Sequence, residues 1–256
     1  MILELHNLRI GYDEDASRYV VAEALNASLL GGTMACLVGA NGVGKSTLMR
    51  TLSGFQPPLG GMVCVDGRSL EEYTSRELSE RVGVVLTERD TTPDLTVEEV
   101  VSIGRMPYTN FWGRLTKDDR HAVDEAIALV GIEALRHKKI GRVSDGERQK
   151  TMIAKALAQQ TGVILLDEPT AFLDYGSKVS VMRLLRQLAH EQGKAILLST
   201  HDLEIAFQTA DEMWLLQRDG LQTGTLDVLE QQGAVSSFLA TNGLHYEATS
   251  KRIILV

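Results

Sequence analysis

"GANGVGKST", Gly39 to Thr47, decides how the rest of the chain is read. It matches the pattern G-x-x-x-x-G-K-[ST] and stands where that pattern has physical meaning. The apolar run "TMACLV" precedes it, and a helical stretch from about Ser46 to Ser53 follows. Its glycines let backbone N–H groups curl around a chain of phosphates, and a helix N-terminus adds a partial positive charge. In this pattern Lys45 reaches the β and γ phosphates, and the Ser46 hydroxyl is placed to ligate Mg²⁺. A strand–loop–helix unit for a nucleoside triphosphate is the expectation.

A second half-site follows in "VILLDEPT", Val163 to Thr170. Asp167 ends an apolar strand, suited to hold Mg²⁺ directly or through water. Glu168 comes next, placed to polarise an attacking water as a general base.

Around these two stretches the texture changes twice. "ILELHNLRI" and "MVCVDG" read as strands of a β-rich section within the first 90 residues. From near Thr92 the pattern turns helical. Thr96 with Glu99, and Thr116 with Asp119, form capping boxes, and Ala122, Val123, Ala126, Ile127 and Val130 share one helical face. This predicts a helical insertion from about 91 to 160. Its last helix begins in "RVSDGERQK", 142–150, where Ser144 and Glu147 make a third capping box. That helix start is also an anion site by its free amides, yet Asp145 puts a carboxylate where an anion would sit.

The α/β texture then returns. "GVILLDEP" and "AILLST" are nearly continuous apolar runs, as expected of strands covered on both faces. Val179, Met182, Leu185 and Leu188 form a helical stripe between them. "EMWLLQ" reads as another strand, and the tail from about 225 as a short helix followed by a final strand, "RIILV".

The totals narrow the function classes. The chain has 256 residues, 44% hydrophobic and 23% charged, a composition of soluble globular proteins. No apolar run approaches the roughly 18–20 residues that cross a bilayer, and the N-terminus has no secretion-signal pattern. Cys36 and Cys64 lie in apolar surroundings and read as buried thiols, and the six histidines show no zinc spacing. A net charge of −8 argues against a nucleic-acid-coating protein.

Taken in order, these motifs resemble the ATP-binding-cassette (ABC) ATPases, the nucleotide-binding subunits of membrane transporters. The resemblance covers nearly the whole chain. It implies an α/β fold, a P-loop NTPase cassette with a RecA-like core, an N-terminal antiparallel β section and a helical subdomain. Residues 1–256 would be one ABC ATPase domain, with about 1–90 and 161–256 as the catalytic core with β section and about 91–160 as the helical signature subdomain. ATP and Mg²⁺ are the implied cofactors. On this likeness Tyr12 stacks on adenine, and Gly39, Asn41, Gly42, Gly44, Lys45, Ser46 and Thr47 form the Walker A loop. Asp167 is the Walker B aspartate, Glu168 the catalytic glutamate, Asp174 the D-loop residue and His201 the switch histidine on the γ phosphate. "VSDGE", Val143 to Glu147, stands at the family signature, through which Ser144 and Gly146 close on the ATP of a second copy. Two sites then form only in a head-to-tail dimer.

Two positions depart from the family pattern. Asp145 replaces a signature glycine. A carboxylate about 5 Å from a phosphate charge would cost roughly 3 kcal/mol at an effective dielectric near 20. Its side chain is therefore expected to turn away while Ser144 and the Gly146 backbone face the phosphate. Thr87 stands where the family has a glutamine that contacts Mg²⁺ and water and signals to the membrane subunit; Thr87 or Glu88 would take that role.

"GRMPY" followed by a tryptophan-containing loop is similar to the ATPases of iron-siderophore, haem and cobalamin importers. Arg105, Tyr108, Phe111 and Trp112 are then expected to meet a permease, the alternative being that they tie the loop to the helical core. The implied partners are integral-membrane permease subunits, a homodimer or paired cassette, and indirectly an external substrate-binding protein, with no nucleic acid. The implied place is the cytoplasmic face of the cell membrane, held there through the permease. A soluble ABC ATPase of iron–sulfur cluster assembly, and an importer ATPase for another substrate, stay open. A P-loop metabolic kinase would lack the signature turn and His201.

Overall fold

The computed structural model describes residues 2–14, 17–86, 94–109, 113–240, 244–247 and 252–255. In chain order its first half contains β1 (Ile2–Glu14), β2 (Ser17–Leu30), β3 (Met34–Val38), α1 (Lys45–Leu52), β4 (Gly60–Val65), β5 (Arg68–Ser69), α2 (Ser75–Ser79), β6 (Val82–Val85), α3 (Val97–Ser102), α4 (Lys117–Leu129) and α5 (Asp145–Ala158). The second half contains β7 (Val163–Leu166), α6 (Tyr175–Gln192), β8 (Ala195–Ser199), α7 (Leu203–Thr209), β9 (Glu212–Gln217), β10 (Gly220–Gly224), α8 (Leu226–Gln231), α9 (Ala234–Ala240), β11 (Leu244–Glu247) and β12 (Arg252–Leu255).

The apolar runs become strands of a six-stranded sheet in the order β10-β9-β3-β8-β7-β6. Its β6, β7, β8, β3 and β9 run parallel, and β10 pairs antiparallel with β9. Side chains alternate across a strand, and here each face enters a different core. Met34, Cys36 and Val38 of β3, with Ile164 and Leu166 of β7, point to the helical side. Ala35 and Leu37 of β3, with Val163 and Leu165 of β7, point to the side covered by α1 and the N-terminal strands. A strand packed on both faces must be apolar at every position, which is why these runs show no polar alternation.

The N-terminal section is a four-stranded sheet, β2-β1-β4-β5, antiparallel throughout. Leu3, Leu5, Leu8 and Ile10 of β1 face the large sheet and are buried. On the opposite side α3, α4 and α5 pack on one another. Thr96, Thr116 and Ser144 each cap a helix reciprocally with Glu99, Asp119 and Glu147. Ala122, Val123, Ala126, Ile127 and Val130 are all buried, as their spacing predicts.

Arg105 does not reach the surface. It is 5% exposed, and its Nε donates to Asp119 Oδ1 at 2.9 Å. Its Nη1 donates to the Ala158 carbonyl at 2.7 Å and to Gln160 Oε1 at 2.9 Å. The Tyr108 ring lies 3.9 Å beneath the guanidinium, and its hydroxyl donates to the Gln159 carbonyl at 2.9 Å. The pair therefore ties this loop to α4 and the end of α5, and the expectation of a permease contact at Arg105 is overturned. Phe111 and Trp112 lie outside the described residues. The tail also differs from the expected helix and strand: it holds two helices, α8 and α9, and a β11–β12 pair.

Candidate functional site

Three loops leave the C-terminal ends of β3, β7 and β8, which are adjacent in the sheet. In an open parallel sheet this edge is where ligands bind. The first loop is Gly39 to Gly44. Gly42 and Gly44 have φ of 76° and 113°, and a Cβ on Gly44 would lie 2.4 Å from Val21 Cγ1. Glycine there lets the loop sit directly against β2. Helix α1 then starts at Lys45 with no side-chain cap and no acid in its first turn. Every other helix from α2 to α8 has a side-chain cap. The first amides of α1 are thus left for a ligand.

Lys45 is 6% exposed and folds back over the loop, its Nζ donating to the Gly39 carbonyl at 2.8 Å and the Ala40 carbonyl at 3.2 Å. Burial lowers its pKa, and the negative charges of Glu168 and Asp167 pull it back up. An ammonium held by carbonyls and desolvated in this way is poised to gain from a phosphate. Tyr12, at the far end of β1, hydrogen-bonds through its hydroxyl to Thr47 Oγ1 at 2.9 Å. Its ring is 40% exposed and borders a cavity of about 370 Å³ shared with Arg50 and Phe55.

The second and third loops meet at Ser199, which the motifs did not single out. Ser199 is fully buried at the end of β8. Its Oγ donates to Asp167 Oδ1 at 2.6 Å and accepts the Glu168 amide at 2.9 Å. The one available signal was a hydroxyl ending a wholly apolar strand, since a buried hydroxyl must find partners. Glu168 sits in the left-handed region with φ of 48°, a conformation that costs about 1–3 kcal/mol for a non-glycine residue. The Ser199 bond, a carbonyl bond accepted from the Ala171 amide and the side chain's own partner hold it there. That partner is His201, whose Nε2 lies 2.5 Å from Glu168 Oε1. His201 also lines a cavity of about 190 Å³ with Gly39, Asn41, Thr200 and Phe238.

Asp167, at the end of β7, and Ser46, in the first turn of α1, each carry a hard oxygen of the type Mg²⁺ takes. Among the described residues no group of three or more His, Cys, Asp or Glu side chains could hold a metal alone. A cation at this place would complete its shell with phosphate oxygens and water, which is how Mg²⁺ is commonly held. Thr87 and Glu88 lie outside the described residues.

Ser144 and Gly146 begin α5, and Ser144 bonds locally to Glu147. No described hydrogen bond joins them to Lys45, Asp167, Glu168 or His201. Ser144 accepts the Glu147 amide, and Asp145 is exposed on the first turn of α5. A Cβ on Gly146 would lie 3.2 Å from Ser177 Oγ in the first turn of α6. Asp174 caps that turn, accepting the Ser177 amide at 3.0 Å and the Ser177 hydroxyl at 2.6 Å. These bonds hold its carboxyl below the usual carboxylate range.

A glycine-lined helix start with a buried lysine, beside an aspartate–glutamate pair at a parallel strand end, defines a P-loop nucleoside-triphosphatase. Comparison with known proteins narrows the class. Residues 22–171 match the family described as ABC transporter, and the chain belongs to that family. Its activity is ATP hydrolysis coupled to transport. An uncharacterized ABC transporter ATP-binding protein of Methanocaldococcus jannaschii is 42% identical over 216 residues, 84% of this chain and 73% of its own. The ferric enterobactin transport ATP-binding protein of Escherichia coli is 37% identical over 210 residues, 82% of this chain and 76% of its own. Among solved structures, cbiO1 of Clostridium perfringens, part of the ABC transporter complex cbiONQ, superposes with a TM-score of 0.78 at 26% identity. That match covers 93% of this chain and 94% of the other.

Proposed function

We propose that this chain is the nucleotide-binding subunit that powers import of an iron-siderophore, haem or cobalamin-type substrate through a membrane permease. The observation that carries the reading is the convergence of Lys45, Asp167, Glu168 and His201 on one sheet edge, with His201 and Glu168 2.5 Å apart. The substrate class rests on likeness to an enterobactin transport protein and on the "GRMPY" stretch.

In this reading Tyr12 stacks on adenine, and Gly39, Asn41, Gly42, Gly44 and Thr47 wrap the phosphates with their amides. Lys45 neutralises the charge that grows on the bridging oxygen of the leaving β phosphate as its bond to the γ phosphorus breaks. Ser46 and Asp167 would hold Mg²⁺, with Thr87 as a further contact, and the bound ion would supply neutralisation of phosphate charge. Glu168 accepts a proton from the water that attacks the γ phosphorus. His201 leaves Glu168 to hold the γ phosphate. Ser144, Gly146 and Asp174 act across a head-to-tail dimer, closing the signature turn over the partner's ATP. Residues of about 91–160 serve as the signature subdomain that meets the permease on the cytoplasmic face of the membrane. No described helix is long and apolar enough to cross that membrane.

A Glu168→Gln variant tests the chemistry. It should bind ATP and remain dimeric while hydrolysis falls by about 10²-fold or more; a normal rate would overturn the role of Glu168. Co-purification from membranes tests the partner. Recovery with an integral permease supports the importer, and recovery with none favours cluster assembly.

A further inference from the structure

His201 is anchored from outside the nucleotide-binding loops. The next residue, Asp202, donates its amide to Thr200 Oγ1 at 3.0 Å, and its Oδ1 accepts the Ile205 amide at 3.4 Å as the cap of α7. The other carboxylate oxygen accepts a bond from Lys178 Nζ at 3.0 Å. The two side chains are 28% and 25% exposed, so the pair is shielded more than an ordinary surface ion pair. Lys178 lies in the first turn of α6, and its amide donates to the Asp174 carbonyl at 2.9 Å. The same turn carries Ser177, which bonds to the Asp174 carboxylate and abuts Gly146 of the signature turn.

We propose that Lys178 is a positioning residue for hydrolysis: through Asp202 it fixes the His201 loop to the first turn of α6. The Asp174 cap and the Gly146 turn meet at that same place. This rests on the role given above to His201. A helix start is a stiff base, because its first turn is set by hydrogen bonds and by the Asp174 cap. With the ion pair in place, His201 and Asp174 keep one spacing, and a shift of His201 as it moves between Glu168 and the γ phosphate is felt at α6. Without it, the described bonds left on this stretch are those of Thr200 to Leu37 and Asp202, the start of α7 and the His201–Glu168 contact. Once His201 leaves Glu168 it then samples positions away from the reacting phosphate. Lys178 makes no bond to Lys45, Asp167 or Glu168 among the described contacts, so ATP affinity should be untouched.

The experiment is steady-state ATP hydrolysis by the full chain with Mg²⁺, alongside thermal melting and ATP binding. Lys178→Ala should lower kcat about tenfold with KM for ATP within about twofold, the mark of an interaction that matters in the transition state. Lys178→Arg should restore most of the rate. Asp202→Asn should match Lys178→Ala, and the double variant should be no slower than either, because both break one link. If Lys178→Ala does not fold, Lys178→Gln carries the same expectation. Unchanged kcat, a change in KM alone, additive losses, or failure of arginine to rescue would each overturn the proposal. His201→Ala separates the two readings. If it hydrolyses ATP normally, the role of His201 fails; if it is inactive while Lys178→Ala is normal, only the positioning role fails.

Discussion

Replacing Arg105 by alanine removes a guanidinium that is 5% exposed and bonded to Asp119, the Ala158 carbonyl and Gln160. Asp119 is itself 3% exposed. It would keep the Thr116 cap but lose its counter-charge, and the carbonyl at the end of α5 would lose a donor. Breaking a buried pair by removing one partner costs about 3–5 kcal/mol, because the remaining charge stays desolvated. For a chain of this size each kcal/mol moves the melting temperature by about 2–4 °C, so the variant should melt roughly 6–20 °C lower. Urea unfolding followed by circular dichroism reads the same loss as a lower midpoint. An Arg105→Met, Asp119→Asn double variant should recover part of it, since the neutral amide can still accept from Thr116 and no charge stays buried. The contrasting outcome is a surface contact: Arg105→Ala within about 0.5 kcal/mol of wild type, with transport lost. That result would refute the buried-clamp reading.

Gly44→Ala places a methyl group 2.4 Å from Val21 Cγ1 at a φ of 113°, and the strain of about 1–3 kcal/mol falls on the phosphate loop. ATP affinity should drop by about tenfold in a binding titration, and unchanged affinity would show that the loop tolerates a displaced β2. Acid stability follows from the caps. Hydrogen bonds from Thr74, Thr96, Thr116, Ser144 and Ser177 hold Glu77, Glu99, Asp119, Glu147 and Asp174 below their ordinary carboxyl values. A lowered folded pKa contributes stability above the unfolded value, near 4, and that contribution is lost as pH falls through the folded value. The urea midpoint should therefore stay level from pH 7 to about 5.5 and fall below about 4.5; a midpoint level down to pH 3 would contradict it.

How much of this was legible beforehand depends on how far apart the interacting residues are in the chain. The three capping boxes, the phosphate-loop helix and the buried strands were readable because each rests on residues within about four positions of one another. The helix α1 starts one residue earlier than its expected boundary, within the ordinary fraying of helix ends. Arg105 stays open between two readings in the sequence because a lone arginine beside aromatics looks the same whether it meets solvent or Asp119. Its partners at Ala158 and Gln160 are more than 50 positions away. Ser199 was passed over for the same reason, since the Glu168 amide that it accepts lies 31 residues back.

The sequence by itself determined that a triphosphate loop, an acid pair and a capped signature helix occur in this order, because local backbone chemistry writes those features directly. Only the tertiary structure decided which faces of the buried strands enter which core, and where His201 lies relative to Glu168. It alone showed that Lys178 reaches Asp202 across 24 residues. Those outcomes are set by the packing of β3, β8 and β7 side by side, and no local pattern encodes the order in which strands from distant parts of the chain become neighbours.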